Sequence, residues 1–294
     1  MFKEFVELIC KLVQKEFKQA TCLMRVYIDE LEQSVFLQIV KNIGIIPENI
    51  NHDSTEEKLY SKASDIVLAR CFRELGLGAK ALEERGDSAD VIAKSLKGYQ
   101  YSLVADAKCF RLSRTAKNQK DFKVGNLSDW RGDENEYAVL VAPYFQFPKN
   151  KSQIYSKALE HNVCLISWEH ISLLLEHEIK ETETLSLESL WNSSQMFARD
   201  KALSFHNRKD CFLPKTDKLV AKKMNIKEVD YFQELALYKS YIVERGKGEI
   251  DYWNSEIEKI NLYTRKKAIT ELISAKKLNE KIAVITAYIS KLDN

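Results

Sequence analysis

At 294 residues the chain is long enough for one large domain or two ordinary ones, and its 45% hydrophobic content is that of a protein that buries a real core. Its 45 basic and 43 acidic residues leave a formal charge of +2, so any footprint for a polyanion must be local. The six cysteines are scattered, with no C-x-x-C pair and no clustered histidines, which points to reduced thiols in a cytosol and away from structural zinc.

At the N-terminus, Glu4, Glu7 and Lys11 interrupt the apolar residues at helical spacing and leave Phe5, Leu8, Ile9 and Leu12 on the other face. That is an amphipathic helix, not a signal peptide. No apolar run approaches the roughly 20 residues needed to span a bilayer. A soluble, cytoplasmic protein without membrane contact is expected. Residues 1–80 read as helices punctuated by Asn42-Ile-Gly44 and Ile46-Pro47. Ser54 and Glu57 have the spacing of a capping box, which predicts a helix from there to about Leu75.

From 88 to 178 the pattern changes to strands mixed with helices. Strands are predicted at Asp90–Ala93, Tyr101–Phe110, Tyr137–Ala142 and Val163–Trp168, with Lys97-Gly98-Tyr99 as a hairpin turn, and helices near 113–130, 151–161 and 168–178. Beyond Trp191 amphipathic runs at 217–245, 249–263 and 265–292 predict further helices. The fold class is therefore α/β, with a mixed sheet of the α+β kind. Residues 1–80 form a helical region packed on a core at 81–191, and residues 192–294 form a mostly helical region expected to serve as scaffold and dimer contact.

Within Tyr101–Arg111, Asp106 and Lys108 stand two residues apart in a strand-like run and so point to the same side. Asp90, one hairpin upstream, brings a second acid onto a neighbouring strand. Two carboxylates that hold a divalent cation and an ammonium that faces a phosphate are what metal-assisted phosphodiester hydrolysis requires. A structural salt bridge is the commoner explanation of an isolated D-x-K triplet. The second acid, and the basic run that begins at Lys108, favour the chemical reading.

Lys108, Arg111, Arg114, Lys117, Lys120 and Lys123 place a cation at every third position for sixteen residues, opposed by Asp121 alone. That density suits a phosphate backbone, although a charged ladder also describes a solvated helix face. Base-reading types are interleaved with it. Asn118 suits adenine, lysine suits guanine, Asp121 can accept from cytosine N4, and Ala116 can touch a thymine methyl. In a regular helix Arg114, Asn118 and Asp121 share a face while Lys120 points away, so an irregular loop is needed if Lys120 also reads bases. Asp121 has a rival assignment as a catalytic acid. Glu83, ahead of the first strand, is either a metal-site acid or a solvated loop acid, and Glu57 either approaches the same site or caps its helix. His161, His170, His177 and His206 lack consistent ligand spacing, and structural roles are expected.

Four blocks, Glu16-Phe-Lys-Gln-Ala-Thr21, Ser54-Thr-Glu-Glu-Lys-Leu through Ala69, Val104 through Lys123, and Ser167-Trp-Glu-His170, together resemble the HindIII family of type II restriction endonucleases. The resemblance covers roughly residues 16–191 and weakens beyond 192. It implies a PD-(D/E)xK restriction-endonuclease-like core, although Ala89 precedes Asp90 where that superfamily's name has proline. It also implies a homodimer that cuts double-stranded DNA at AAGCTT after the first A to leave 5′ overhangs. Mg²⁺ would be the cofactor, with Mn²⁺ as a substitute, held by Asp90, Asp106 and the Ala107 carbonyl. Lys108 would position or deprotonate the attacking water. A cognate DNA methyltransferase would act in the same system without a stable complex. Two other readings remain open: a nuclease of repair or junction resolution that cuts by structure, and a DNA-binding protein that kept the fold without catalysis. The latter would be expected to have lost Asp106 or Lys108, and both are present.

Overall fold

A computed structural model describes residues 2–83, 88–114, 119–200 and 209–292. It divides into two compact units, residues 1–243 and 244–294. The first unit opens with α1 (Phe2–Leu12), α2 (Phe17–Glu30), α3 (Gln33–Ile43) and α4 (Thr55–Glu74). The amphipathic reading of α1 holds, with Phe5, Val6, Ile9 and Leu12 buried. The cap of α4 is also as expected: Ser54 Oγ accepts from the Glu57 N–H at 3.1 Å, and Glu57 Oε2 accepts from the Asp53 N–H at 2.6 Å. The helix ends at Glu74 with Leu75 as its C-cap and leads into Gly76 at φ +91°, where a Cβ would lie 2.9 Å from the Glu181 carbonyl oxygen. Only glycine fits there.

The strands are β1 (Leu77–Ala81), β2 (Val91–Ser95), β3 (Ser102–Ala107), β4 (Tyr137–Ala142) and β5 (Val163–Ser167), hydrogen-bonded in that order. The first three are antiparallel and the last three parallel. β4 is buried at every position, as a strand inside a parallel segment with both faces covered should be. Side chains alternate between two apolar layers. Leu103, Ala105, Val139, Val141 and Ile166 pack with α4 and the N-terminal helices. Val104, Ala138, Leu140 and Leu165 pack on the opposite side with Phe122, Leu127, Tyr155 and Phe212.

Several boundaries differ from the sequence reading. β1 has no counterpart among the predicted strands, because Leu-Gly-Ala-Lys-Ala lacks the β-branched and aromatic residues that mark them. β2 starts at Val91, so Asp90 precedes it, and β3 stops at Ala107 rather than running to Phe110. The helix expected over 113–130 is interrupted: α5 (Gln119–Phe122) and α6 (Val124–Arg131) are divided by Lys123, which takes φ +46°. α7 (Gln153–Glu160) and α8 (Trp168–Glu176) come next, and Trp168 begins the helix rather than ending the strand.

The helices α9 (Glu188–Trp191), α10 (Ser193–Ala198) and α11 (Lys209–Met224) complete the first unit together with the start of α12 (Glu228–Asn261). The expected break before residue 249 is absent, and α12 runs through Gly246 and Gly248. The second unit holds the rest of α12, α13 (Arg265–Ala275) and α14 (Leu278–Leu292). In the first unit, Asp217 of α11 is buried beside His170 Nε2 at 2.8 Å and accepts from the hydroxyls of Tyr144 and Tyr231 at 2.9 Å each. His170 is thus a structural residue, and it also completes the capping box of α8 with Ser167. His161 ends α7 and its carbonyl accepts from Arg131, while His177 pairs with Glu234. His206 lies outside the described residues. Among the described residues no helix is long and apolar enough to cross a membrane.

Candidate active site

The register of β2 on β3 pairs Val91 with Ala105, and continuing it by one position sets Asp90 opposite Asp106. Asp106 is the penultimate residue of β3 and is 1% exposed. Lys108 lies one residue past the strand, but its N–H still donates to the Val141 carbonyl at 2.7 Å, so the alternation that puts both side chains on one side is preserved. Lys108 Nζ and Asp106 Oδ2 form an ion pair. That buried oxygen nevertheless receives no directed hydrogen bond. Behind the pair, the Lys108 carbonyl accepts from the Trp168 indole Nε1 at 2.9 Å, which ties the end of β3 to the start of α8.

Charge accumulates at this point. Burial, then the charge of Asp106 and a hydrogen bond with it, push Asp90 up to about 6. Burial disfavours the charge on Lys108, yet the carboxylates of Asp106, Asp90 and Asp65 hold its pKa above the ordinary lysine value. Asp65 itself is buried, and desolvation, reinforced by repulsion from Asp90, raises it well above the usual carboxylate range. Its helix neighbour Lys62 sits 3.4 Å away and attenuates both shifts. Three acids and two lysines therefore converge where α4 crosses the ends of β2 and β3.

The structure brings together Asp90, Asp106 and Lys108 as the sequence suggested. Ala107, between the last two, has its side chain in the core layer, which leaves only its main chain for any ligand role. Glu83 is not brought to them. It is largely exposed and faces Lys18 at 3.9 Å. Glu57 resolves as a cap that also pairs with Arg111, whose second guanidinium nitrogen donates to the Ile50 carbonyl at 2.5 Å. Arg111 is consequently 8% exposed and turned inward, so it anchors the basic stretch rather than presenting a free cation. Glu48 secures the same stretch by accepting from the Ser113 N–H at 3.0 Å and its hydroxyl at 2.8 Å.

Farther along, Arg114 pairs with Asp121 and lies over the Phe110 ring at 5.5 Å. Lys120 and Lys123 are exposed. Ala116, Lys117 and Asn118 lie outside the described residues.

Two members of the cluster, Lys62 and Asp65, escaped the sequence reading. Their i, i+3 spacing looks like an ordinary exposed helix pair. The signal that could have found them is the run Ile66-Val67-Leu68-Ala69 that follows, apolar on every side of the helix and therefore the mark of a buried segment. A separate trio, His52, Asp53 and Glu57, places ligand-type atoms within 4.8 Å of one another, but Glu57 is already engaged with Arg111 and with the Asp53 N–H.

The family model for the HindIII restriction endonuclease matches residues 4–289. The type II restriction enzyme HindIII of Haemophilus influenzae is 44% identical over 287 residues, covering 98% of this chain and 94% of that one. The likeness thus extends through the C-terminal third, where the sequence reading found it weak. The solved structure of restriction endonuclease FokI aligns with a TM-score of 0.33 at 12% identity, over 60% of this chain and about a third (32%) of its own, too remote to carry an argument. The chain belongs to the HindIII restriction endonuclease family and is a type II site-specific deoxyribonuclease.

Proposed function

We propose that the protein recognises AAGCTT in double-stranded DNA, cuts after the first A of each strand to leave 5′ overhangs, and uses Mg²⁺, with Mn²⁺ as a substitute. The observation that carries this reading is the convergence of Asp90, Asp106 and Lys108 at the end of β3 in a chain 44% identical to HindIII. The residues fit a hard cation: buried carboxylates supply oxygen donors, and Asp106 Oδ2 receives no directed hydrogen bond. Asp90, Asp106 and the Ala107 carbonyl would hold the ion. When bound, it would polarise a phosphoryl oxygen and make a water more acidic.

The chain's own contribution is positioning and charge. Lys108, kept charged by its three carboxylate neighbours, acts as a cation that offsets the negative charge accumulating on the phosphate rather than as a base. Trp168 fixes its main chain. Lys117, Lys120, Lys123 and Arg114 are assigned to the DNA backbone, and Ala116, Asn118 and Asp121 to the bases.

A palindromic target calls for two copies related by a two-fold axis, hence a homodimer with a companion methyltransferase that protects the host site without a stable complex. Digestion of a plasmid of known sequence in Mg²⁺, with run-off sequencing of the ends, tests the whole reading. Discrete fragments ending at A/AGCTT are expected. A smear, or ends at an asymmetric site, would overturn the specificity.

A further inference from the structure

We propose that Lys62 is a resident counter-cation of the metal site, a positioning residue that restrains the carboxylates of the metal-free protein and so sets how tightly a divalent cation binds. This rests on the metal-site reading above. Lys62 Nζ lies 3.4 Å from Asp65 Oδ2, and the two side chains are 4% and 8% exposed. An ammonium buried so deeply is costly unless several charges compensate it. Its influence does reach beyond its helix neighbour, because it also favours the ionised form of Asp90.

The division of labour between the two lysines is set by exposure. The Lys108 side chain is 16% exposed and is paired with Asp106, so it borders the space a phosphate would enter. Lys62 is walled in and acts through the acids. Lys62 supplies one of the two positive charges that face the acids of the cluster. Loss of Lys62 would leave Lys108 alone to offset them. The acids would then repel each other more strongly without metal and attract a dication more strongly with it. A merely structural lysine would not produce those two opposed effects.

The test uses the full chain with Lys62→Met and Lys62→Gln, and Lys62→Arg as the charge-keeping control. Ca²⁺ binding is measured by calorimetry, with and without an AAGCTT duplex, and thermal unfolding is measured with and without Ca²⁺. The neutral variants should melt lower than the wild type in chelator, bind Ca²⁺ about tenfold or more tighter, and close the melting gap at saturating Ca²⁺. Lys62→Arg should return towards wild type in each measurement. Unchanged or weaker Ca²⁺ binding by a folded neutral variant overturns the proposal. If the neutral variants are unfolded in chelator, refolding by Ca²⁺ supports it and failure to refold overturns it. Wild-type protein that binds no Ca²⁺, or whose binding survives Asp106→Asn, would instead refute the metal-site reading itself.

Discussion

Two residues that look equivalent as acids have different environments. Asp106 is enclosed and ion-paired with Lys108, whereas burial first, and the nearby charge of Asp106 second, push Asp90 up to about 6. Asp106→Ala and Lys108→Ala should each lower the cleavage rate on the order of 10²–10³-fold or more while leaving specific DNA binding largely intact, because neither group is assigned to base recognition. Cleavage and gel-shift assays on the same preparations check this, and retained cutting by either variant would remove it from the mechanism. Asp90 makes a thermodynamic prediction. Its folded pKa is raised, so its stabilising contribution is complete below the ordinary value near 4 and is lost as pH rises through about 6. The rise from the ordinary value near 4 to about 6 corresponds to roughly 3 kcal/mol. In chelator, Asp90→Asn should therefore match the wild type below pH 4 and exceed it by up to about 3 kcal/mol above pH 7. Urea unfolding across that range measures the difference. A gap that does not change with pH would mean that the strain at Asp90 is not electrostatic.

The elements that place these residues meet at one close approach. Gly44, at the end of α3, leaves room for the Trp168 ring that holds the Lys108 carbonyl; a Cβ there would lie 2.6 Å from Trp168 Cδ1 and 3.1 Å from Pro143 Cγ. Gly44→Ala should destabilise the protein by about 1–3 kcal/mol through overpacking, and it should slow cleavage beyond what the stability loss explains, because the displaced indole is the support of Lys108. Denaturant unfolding and single-turnover rates separate the two effects. A normal rate in a destabilised variant would show that Trp168 does not position the lysine. None of this contact was legible in the sequence, since it joins residues far apart in the chain. What could be read were elements with a pronounced local pattern: the α4 cap at Ser54 and Glu57, and the apolar runs of β4 and β5. The D-x-K spacing exposed Asp106 and Lys108 because strand alternation is a local rule. β1 was hidden by its glycine and alanines, and Lys62 and Asp65 by a spacing that is normal on any solvated helix. Burial of α4 on nearly all sides, a tertiary property, is what turned that pair into part of the site.

At the scale of the whole molecule, one chain carries one Asp90/Asp106/Lys108 cluster, and a double-strand break needs two such clusters acting on opposite strands. The proposed homodimer needs a surface that joins two chains, and the second unit exposes apolar side chains. Ile250, Trp253, Ile257 and Ile260 are all exposed, and their positions have the i, i+3, i+7, i+10 spacing of a coiled-coil seam on the second half of α12. A continuous apolar stripe of that kind is costly to leave in water. If this stripe joins two copies, a charge placed on it by Trp253→Glu with Ile257→Glu should convert a sedimenting dimer into a monomer at micromolar concentration. The first unit, whose core does not include these positions, should keep its cooperative unfolding. The monomer should also lose coordinated cutting, with supercoiled plasmid accumulating as nicked circles before linear product. Sedimentation velocity and the time course of plasmid forms test both consequences. A charge-bearing variant that remains dimeric and linearises plasmid as fast as the wild type would place the interface elsewhere, and the exposed seam would then need another partner.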